Sequence, residues 1–366
     1  MSQLAVARGT SVIMADMRPS SSLHRISIPV LVGLFVSMAA IRSRACPVCL
    51  PFPRQSLADH LINSDAVVFA RESADHPFTY QAMEWVKDPA SPVAGEIEEL
   101  FLNSSVRRKL MAEPTDAAVL VHSPDGRGWR MVAVADERLQ EIVRRILLVS
   151  SQWIGSEGQT RRCEFFVPFF GDENRAIFEL AYLELGRASY ATIKDLAIFH
   201  SSERMEDVMN RREYLEWRSL AILLLAQDPQ SREVIERGFR GCEEFGLTSH
   251  LSAWATALIE QRGKEAISQI EEMYFRDPQR TPEEVRQTLL ALSVHGNGGH
   301  VHLRERIGKA YGSLLDNHPE FAGKVALDLT AWSDGRYRED IQDLIATQND
   351  FEKWAILAMR AYVDSQ

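Results

Sequence analysis

Residues 163–186, CEFFVPFFGDENRAIFELAYLELG, begin the change of pattern that decides the fold. Apolar residues recur there every three to four positions, which is helical spacing, whereas the residues before them alternate with period two. The helical period continues to the end of the chain in segments separated by short loops that contain Gly, Pro, Asp or Asn. The sequence therefore predicts an α+β multidomain protein, with a β-rich part followed by an all-helical part.

The β-rich part consists of short runs in which apolar and polar residues alternate. Turn-forming residues separate five such runs, at 65–72, 78–87, 96–101, 117–123 and 128–135. Short strands joined in this way are typical of a small antiparallel barrel or sandwich. A capped short helix is predicted before the strands at 56–64, and an amphipathic helix after them at 137–149.

The helical part contains many amphipathic segments of similar length. Small residues such as Ala181, Ala326 and Ala358 fall in the middle of several of them, where closely packed helices need small side chains. Antiparallel helix pairs stacked side by side bury so many apolar stripes most simply. We therefore predict a β domain with flanking helices at 46–150, a linker at 151–162 and an α-solenoid of HEAT-like helix pairs at 163–366.

Composition and charge argue against one class of partner. The chain of 366 residues is 45% hydrophobic and 25% charged, as ordinary globular proteins are, and its formal net charge is -10. Nucleic-acid binding needs a basic surface that releases counterions from phosphates. We predict no nucleic-acid partner, and we interpret the basic run Arg107, Arg108 and Lys109 as a solvated face.

The amino terminus has the layout of a secretory signal. Arg18, His24 and Arg25 precede an apolar segment at 26–41, and small residues follow it. That segment has about 16 residues, fewer than the roughly 20 that a membrane-spanning helix needs. We therefore predict that residues 1–45 are a cleaved signal peptide and that the protein is exported to the periplasm or the cell exterior.

Two cleavage positions fit the small-x-small rule, after Ala39 and after Ala45. The second makes Cys46 the first residue of the mature chain, which is where a lipoprotein carries its lipid. Ser43 and Arg44 depart from the residues usual in a lipoprotein signal. The membrane contact that the sequence allows is thus an uncleaved signal or a lipidated Cys46.

The cysteines at Cys46, Cys49, Cys163 and Cys242 raise the question of disulfides. The first two follow the signal rather than a strand, and the prolines behind them prevent the helix that a thioredoxin-like site needs. A zinc site would require a second closely spaced pair of ligands. An even number of cysteines in an exported chain favours structural disulfides, while redox, metal-binding and lipidated states stay open.

We predict that either Cys46 or Cys49 bonds to Cys163, at the other end of the β domain. Such a bond closes a loop of over 100 residues, which contributes about 4 to 5 kcal/mol in the chain-entropy model. The remaining member of the pair reaches Cys242 only if the first helical repeats fold back on the barrel. Cys242 itself lies on a helical stripe, where it is expected to be a small buried apolar residue.

Three histidines, His295, His300 and His302, lie close together in HGNGGHVH. Three imidazoles at this spacing are able to bind zinc or copper. The sequence places no carboxylate or cysteine to complete the coordination sphere. The favoured interpretation is therefore a polar loop between two helices, with His295 at a helix end where its charge complements the helix dipole.

Motifs of catalysis are missing from the sequence. It contains no nucleophile elbow, no Gly-rich phosphate loop and no His-Glu-x-x-His helix. We therefore predict no catalytic residue and no cofactor.

The order of signal, cysteine pair, β domain and helices resembles a group of secreted bacterial proteins of unknown function with HEAT-like helical repeats. Residues 56–72, SLADHLINSDAVVFARE, and 165–193, FFVPFFGDENRAIFELAYLELGRASYATI, carry this resemblance. The amino-terminal part is also similar in layout to netrin-like domains, which include the tissue inhibitors of metalloproteases. That resemblance implies an OB-like barrel, although the family has C-x-C where this chain has Cys46-Pro47-Val48-Cys49.

Because solenoids present long concave surfaces, the leading hypothesis is a non-enzymatic exported protein that binds or scaffolds an unknown protein partner. The alternative is an extracytoplasmic thiol-redox or metal-handling protein that uses Cys46 and Cys49, with the histidine cluster as a further ligand set. A third hypothesis, an enzyme with its site between barrel and solenoid, needs convergent polar groups in a cleft.

Overall fold

The computed structural model describes residue 48 and residues 55–88, 96–97, 100–123, 128–196, 202–348 and 350–365, which belong to one compact unit. The predicted signal peptide, Cys46 and Cys49 lie outside these residues. Within the described ranges, none of the helices is both long and apolar enough to cross a membrane.

An antiparallel sheet forms the first part of the described chain. Its strands are β1 (Ala66–Glu72), β2 (Tyr80–Lys87), β3 (Glu96–Ile97), β4 (Ala117–Ser123) and β5 (Gly128–Ala135). The order is β3-β2-β1-β4-β5, so β1 is central and pairs Val68 with Trp85 on one side and with Leu120 on the other. The strands described here form an open sheet, with β3 and β5 at its edges, and they do not close into the predicted barrel.

Helices cover both faces of this sheet: α1 (Leu57–Asn63), α2 (Ser104–Ala112) and α3 (Glu137–Val149). Successive residues of a strand point to opposite faces, so Val67 and Phe69 pack with α1 and α3 while Val68 packs with Leu110 of α2. Burial on both faces explains why β1 is almost continuously apolar. The predicted helices before and after the strands are confirmed.

The rest of the described chain is mostly helical, which confirms the α+β class. The helices are α4 (Gly155–Phe166), α5 (Arg175–Gly186), α6 (Tyr190–Asp195), α7 (Ser202–Asn210), α8 (Arg218–Leu225), α9 (Arg232–Glu244), α10 (Leu251–Arg262), α11 (Lys264–Ile270), α12 (Pro282–Val294), α13 (Arg304–Asn317), α14 (Ala322–Trp332), α15 (Arg338–Thr347) and α16 (Lys353–Asp364). Several helices pack on the next but one along the chain: α8 contacts α10, α10 contacts α12, α11 contacts α13, and α14 contacts α16.

Residues 151–162, predicted to be a linker, are mostly helical. They contain the end of a 3-10 turn at Ser150–Gln152 and the first eight residues of α4. The glycines of this segment favour a loop in the sequence, but Gly158 has a packing role. A Cβ there would lie 2.3 Å from the carbonyl carbon of Trp153, so only glycine lets the start of α4 pack this closely on the preceding backbone.

The apolar core also continues across the predicted domain boundary. Phe166 and Ile177, from α4 and α5, belong to the same buried cluster as Phe69 and Val119 of the sheet. A flexible linker would leave two separate cores, so the prediction of a linker at 151–162 is wrong. The sheet and the first helices of the array share one core instead.

A cluster of charged side chains joins the same two parts. Nη2 of Arg162 donates to Oδ1 of Asp59 at 2.7 Å, and its Nε donates to Oε2 of Glu184 at 2.7 Å. Arg187 also pairs with Asp59. Burial by itself would raise the pKa of Asp59, but the backbone N–H of Ser56 and the charge of Arg162 hold it below its ordinary value. Asp59 therefore stays ionised and tied to α4.

Within the part of the chain that the structure describes, Cys163 and Cys242 form no disulfide, and both thiols are buried. Burial raises the pKa of each to about 11, which makes both unreactive near neutral pH. The prediction that Cys242 is a small buried apolar residue is confirmed. Since Cys46 and Cys49 lie outside the described residues, a disulfide from either to Cys163 stays a prediction. Val48, between them, is buried in the same core cluster as Cys163.

Candidate functional site

A π-helical turn at the end of α12 positions two of the three predicted histidines. It covers His295–Gly299 and closes with a hydrogen bond of 2.9 Å from the N–H of His300 to the carbonyl of His295. Because a π turn joins residues five apart, it brings side chains at that spacing to one side of the helix. The imidazoles of His295 and His300 stack with their centroids 5.3 Å apart and their planes 6° from parallel.

Gly296 is the residue that makes this turn fit. A Cβ at Gly296 would lie 2.1 Å from Cζ2 of Trp332. We expect Gly296→Ala to displace that indole and lower the free energy of unfolding by about 1 to 3 kcal/mol, measured by urea denaturation. The control is Gly241→Ala, where a Cβ meets nothing within 4 Å and helix propensity predicts a neutral or stabilising effect. If both variants lose the same free energy of unfolding, the close contact between Gly296 and Trp332 is not the cause.

His295 is fully buried and neutral. Its Nε2 lies 2.9 Å from the carbonyl oxygen of Thr256, which only accepts hydrogen bonds, so Nε2 carries the proton. Nδ1 then holds a bare lone pair, and it has no hydrogen-bond partner among the residues that the structure describes. Burial lowers the pKa of His295 to about 4. The interpretation of His295 as a charged residue at a helix end is therefore wrong.

Glu260, in the last turn of α10, faces both imidazoles. Its Oε1 lies 2.9 Å from Nε2 of His300, and its Oε2 accepts a hydrogen bond of 2.6 Å from the hydroxyl of Tyr190. Burial would raise the pKa of Glu260, but the hydrogen bonds from Tyr190 and Lys194 and the charge of Lys194 hold it below its ordinary value. Glu260 is thus an ionised carboxylate in a largely enclosed position.

Helix α6 supplies the remaining polar groups, Tyr190 and Lys194, one turn apart. The ammonium of Lys194 lies 3.0 Å from Oε1 of Glu260 and 3.0 Å from Nε2 of His300. The ligating atoms of Glu260, His295 and His300 all lie within 4.8 Å of one another. Two imidazole nitrogens and a carboxylate oxygen are a donor set that zinc and related metals accept.

Of the three histidines considered as metal ligands, the structure brings His295 and His300 together. His302 lies in the next turn, with its ring 5.2 Å from that of His300, and it does not belong to the cluster. The sequence placed no carboxylate beside these histidines, but the structure brings Glu260 to them from another helix. Sequence reasoning missed Glu260, Lys194 and Tyr190 because their approach to the histidines depends on how α6 and α10 pack against the π turn.

A second candidate site is a groove with a volume of about 1330 Å³ in the helical part. Its walls come from the starts of five helices, α8, α10, α12, α14 and α16, and from the turns that lead into them. The first residues of these helices therefore lie along one groove, and α12 lines it from Pro282 to Leu290. Val48, inside the cysteine motif, also lines the groove.

Both apolar and charged side chains line the groove. The apolar side chains are those of Leu215, Leu289, Leu290, Phe321, Phe351 and Trp354. Five acidic and three basic side chains accompany them: Glu216, Glu283, Glu320, Asp350, Glu352, Arg212, Arg286 and Lys324. Trp354 is 50% exposed, and its indole N–H donates to Glu352. The groove thus offers apolar anchor points with an excess of negative charge.

One polar pair lies in the same groove and was not expected from the sequence. Nδ1 of His250 lies 2.9 Å from the hydroxyl of Ser219, and His250 has the left-handed backbone conformation, with φ of 62°. Burial and the nearby charge of Arg218 lower the pKa of His250, which favours the neutral imidazole in this pair. The bond ties the start of α8 to the start of α10.

No protein-family model, curated protein or solved structure matches this chain. The resemblances to secreted repeat proteins and to netrin-like domains therefore stay predictions. The histidine cluster and the groove are accordingly interpreted from their own geometry.

Proposed function

We propose that this protein is an exported binding or scaffolding protein that holds an extended segment of a partner protein in the groove. The observation that carries the proposal is the shape of that groove, whose walls are the starts of five helices. We infer that the helical part is an α-solenoid of HEAT-like pairs, because alternate helices pack side by side and present aligned ends. Such arrays use their extended concave surface to bind other chains.

The size of the groove suits an extended peptide. Neighbouring packed helices lie roughly 8 to 10 Å apart, so the four intervals between five of them span about 32 to 40 Å. An extended chain advances about 3.3 Å per residue, and a segment of about ten to twelve residues therefore covers this distance. A fully apolar lining would suit a lipid or a second helix, whereas the alternation of apolar and charged side chains here suits a peptide.

The lining also defines the chemistry of the partner. Exposed aromatic residues near the centre of an interface commonly contribute most of the binding energy, and Trp354 and Phe351 are the aromatic residues of the α16 end. The excess of acidic side chains in the lining favours basic residues in the partner. We therefore propose a segment with two or more apolar anchors and a net positive charge.

The test is selection of random twelve-residue peptides displayed on phage against the full chain. We expect the selected peptides to carry aromatic or aliphatic anchors and a net positive charge, and to bind more weakly at high salt. Trp354→Ala should weaken the best peptide about tenfold in fluorescence anisotropy. Leu148→Ala is the matched control, because Leu148 is exposed on α3, away from the groove lining.

Two outcomes would contradict the proposal. Selection that yields no enriched peptide, or peptides whose affinity does not change in Trp354→Ala, would remove the groove as the binding surface. Acidic peptides among the binders would contradict the proposed partner chemistry.

Export is part of the proposal and rests on the signal layout around residues 26–41, which lie outside the described residues. The predicted relation of the sheet to netrin-like or OB-like barrels is not favoured by the open order of the described strands. The alternative function, a thiol-redox or metal-handling protein based on Cys46 and Cys49, gains no support from Cys163 or Cys242, whose thiols are buried. Metal binding is favoured at a different place, the cluster around Glu260.

A further inference from the structure

We propose that Glu260, His295 and His300 bind a divalent transition-metal ion such as zinc, and that the ammonium of Lys194 competes with this ion for the same place. The inference is independent of the peptide groove, because none of these residues lines it. It rests on the donor set, on the orientation of His295 and on the contacts of Lys194.

The orientation of His295 is the feature that points to a ligand. Its Nε2 is held by the carbonyl of Thr256, so its unprotonated Nδ1 is buried with no hydrogen-bond partner among the described residues. A buried acceptor without a donor is costly unless something else supplies a positive charge or a proton. Histidines that bind metals characteristically give their other N–H to a carbonyl or a carboxylate, which fixes the ring and its tautomer.

The second feature is the spacing of the three donors. Zinc binds imidazole nitrogen and carboxylate oxygen at about 2.0 to 2.2 Å, which places tetrahedral ligands roughly 3.4 Å apart. Oε1 of Glu260 and Nε2 of His300 are 2.9 Å apart, and all three donor atoms lie within 4.8 Å of one another. The distance of 2.9 Å is shorter than this separation and the limit of 4.8 Å is longer, so binding of zinc requires the donor side chains to rotate. Three protein ligands leave a fourth position for water or for a ligand of the metal.

The third feature is that the cluster already attracts a cation. Nζ of Lys194 lies 3.0 Å from Oε1 of Glu260 and 3.0 Å from Nε2 of His300, the same two atoms that would bind the metal. A metal ion and an ammonium cannot share these contacts, since like charges at such distances repel strongly. The side chain of Lys194 is 18% exposed, so it is able to turn toward solvent when a metal enters.

Hydrogen bonds beyond the three donors would hold them in place. The hydroxyl of Tyr190 donates to the far oxygen of Glu260 at 2.6 Å, and the amide of Gln227 donates to Tyr190 at 3.3 Å. Glu260 is therefore held by one oxygen while Oε1 stays directed at the cluster. Such supporting partners are characteristic of sites that bind metal tightly.

The experiment titrates metal-stripped protein with zinc against a chromogenic chelator. It uses the full chain with Cys46→Ser and Cys49→Ser, so that the cysteine pair cannot supply a second zinc site. We expect one zinc per chain, and we expect Glu260→Gln and His300→Gln each to weaken binding at least tenfold. His302→Gln is the matched control, because its imidazole lies next to His300 but outside the donor set, and it should leave the affinity unchanged.

Lys194→Met gives the result that a general loss of structure cannot mimic. Removing the competing ammonium should tighten zinc binding at least tenfold, and cobalt(II) in place of zinc should show the intense visible absorption of a four-coordinate site. The proposal is overturned if Glu260→Gln and His300→Gln bind zinc as well as the parent, or if Lys194→Met binds no more tightly than the parent. Circular dichroism of each variant confirms that it is folded, and peptide binding in the groove should not change.

Discussion

Replacing Arg162 with methionine should lower the free energy of unfolding by about 3 to 5 kcal/mol. Arg162 is the cation between two largely buried carboxylates, Asp59 of α1 and Glu184 of α5, and its side chain is only 12% exposed. Methionine keeps the length of the side chain but leaves both carboxylates without their main partner. Removing one member of a buried ion pair costs this much because the remaining charge stays desolvated and uncompensated.

Chemical denaturation of Arg162→Met measures the loss, and Arg161→Met is its matched control. Arg161 is the preceding residue of α4, and its exposed pair with Glu157 is expected to contribute less than about 1 kcal/mol. The pKa of Asp59 lies below its ordinary value in the folded protein, so the pairing stabilises above the unfolded pKa of 3.8 and is lost as pH falls through the folded pKa. The difference in free energy of unfolding between the parent and Arg162→Met should therefore decrease below about pH 4. Similar losses of free energy of unfolding in both variants would show that the charged cluster around Arg162 does not hold the sheet region to the helical part.

Replacing Asp328 with alanine should lower the free energy of unfolding by about 3 kcal/mol or more. Asp328 is buried in α14 and accepts hydrogen bonds from the hydroxyls of Ser293 and Tyr311 and from the amide of Asn297. Alanine removes the acceptor and leaves these donors unsatisfied, each at a cost of about 1 to 3 kcal/mol if it stays buried. Because Asn297 lies in the π turn, Asp328→Ala should also loosen the turn that carries His295 and His300.

Thermal unfolding and hydrogen exchange of the π turn measure the two effects of Asp328→Ala. Tyr311→Phe is the milder comparison, since it removes one donor and leaves the acceptor in place, and about 1 kcal/mol is expected. A loss below about 1 kcal/mol in Asp328→Ala would mean that water satisfies the donors. Unchanged exchange in the turn would mean that Asn297 does not depend on Asp328.

The strands illustrate what local pattern predicts well. The five alternating runs all contain strands, because period-two burial is a property of neighbouring residues and is written directly into the sequence. The long amphipathic helices are equally predictable from the sequence. Helix α3, for example, covers the same residues as its prediction. The basic run at 107–109 was interpreted only as a solvated face, yet it belongs to α2, and Arg107 pairs with Glu72 of β1 at 2.7 Å.

Errors arose where a local signal was outweighed by packing. The change from period-two to helical spacing indicated a linker at 151–162, but this segment is mostly helical and Gly158 allows a close contact with Trp153. His295 was placed at a charged helix end, but burial under α6 and α10 makes it neutral. In both cases the sequence pattern was compatible with two local structures, and the packing of the surrounding residues decided which one formed.

The sequence by itself determined the class of the protein, the order of its strands and helices along the chain and the location of two histidines that matter, since these follow from periodicity and residue type. Only the tertiary structure decided the rest. It joined the sheet and the first helices through one core, aligned the starts of five helices into a groove, and brought Glu260 and Lys194 to the histidines. The physical reason is that these contacts join residues far apart in the chain. Whether such residues come into contact depends on how whole helices pack, and the local sequence pattern does not indicate it.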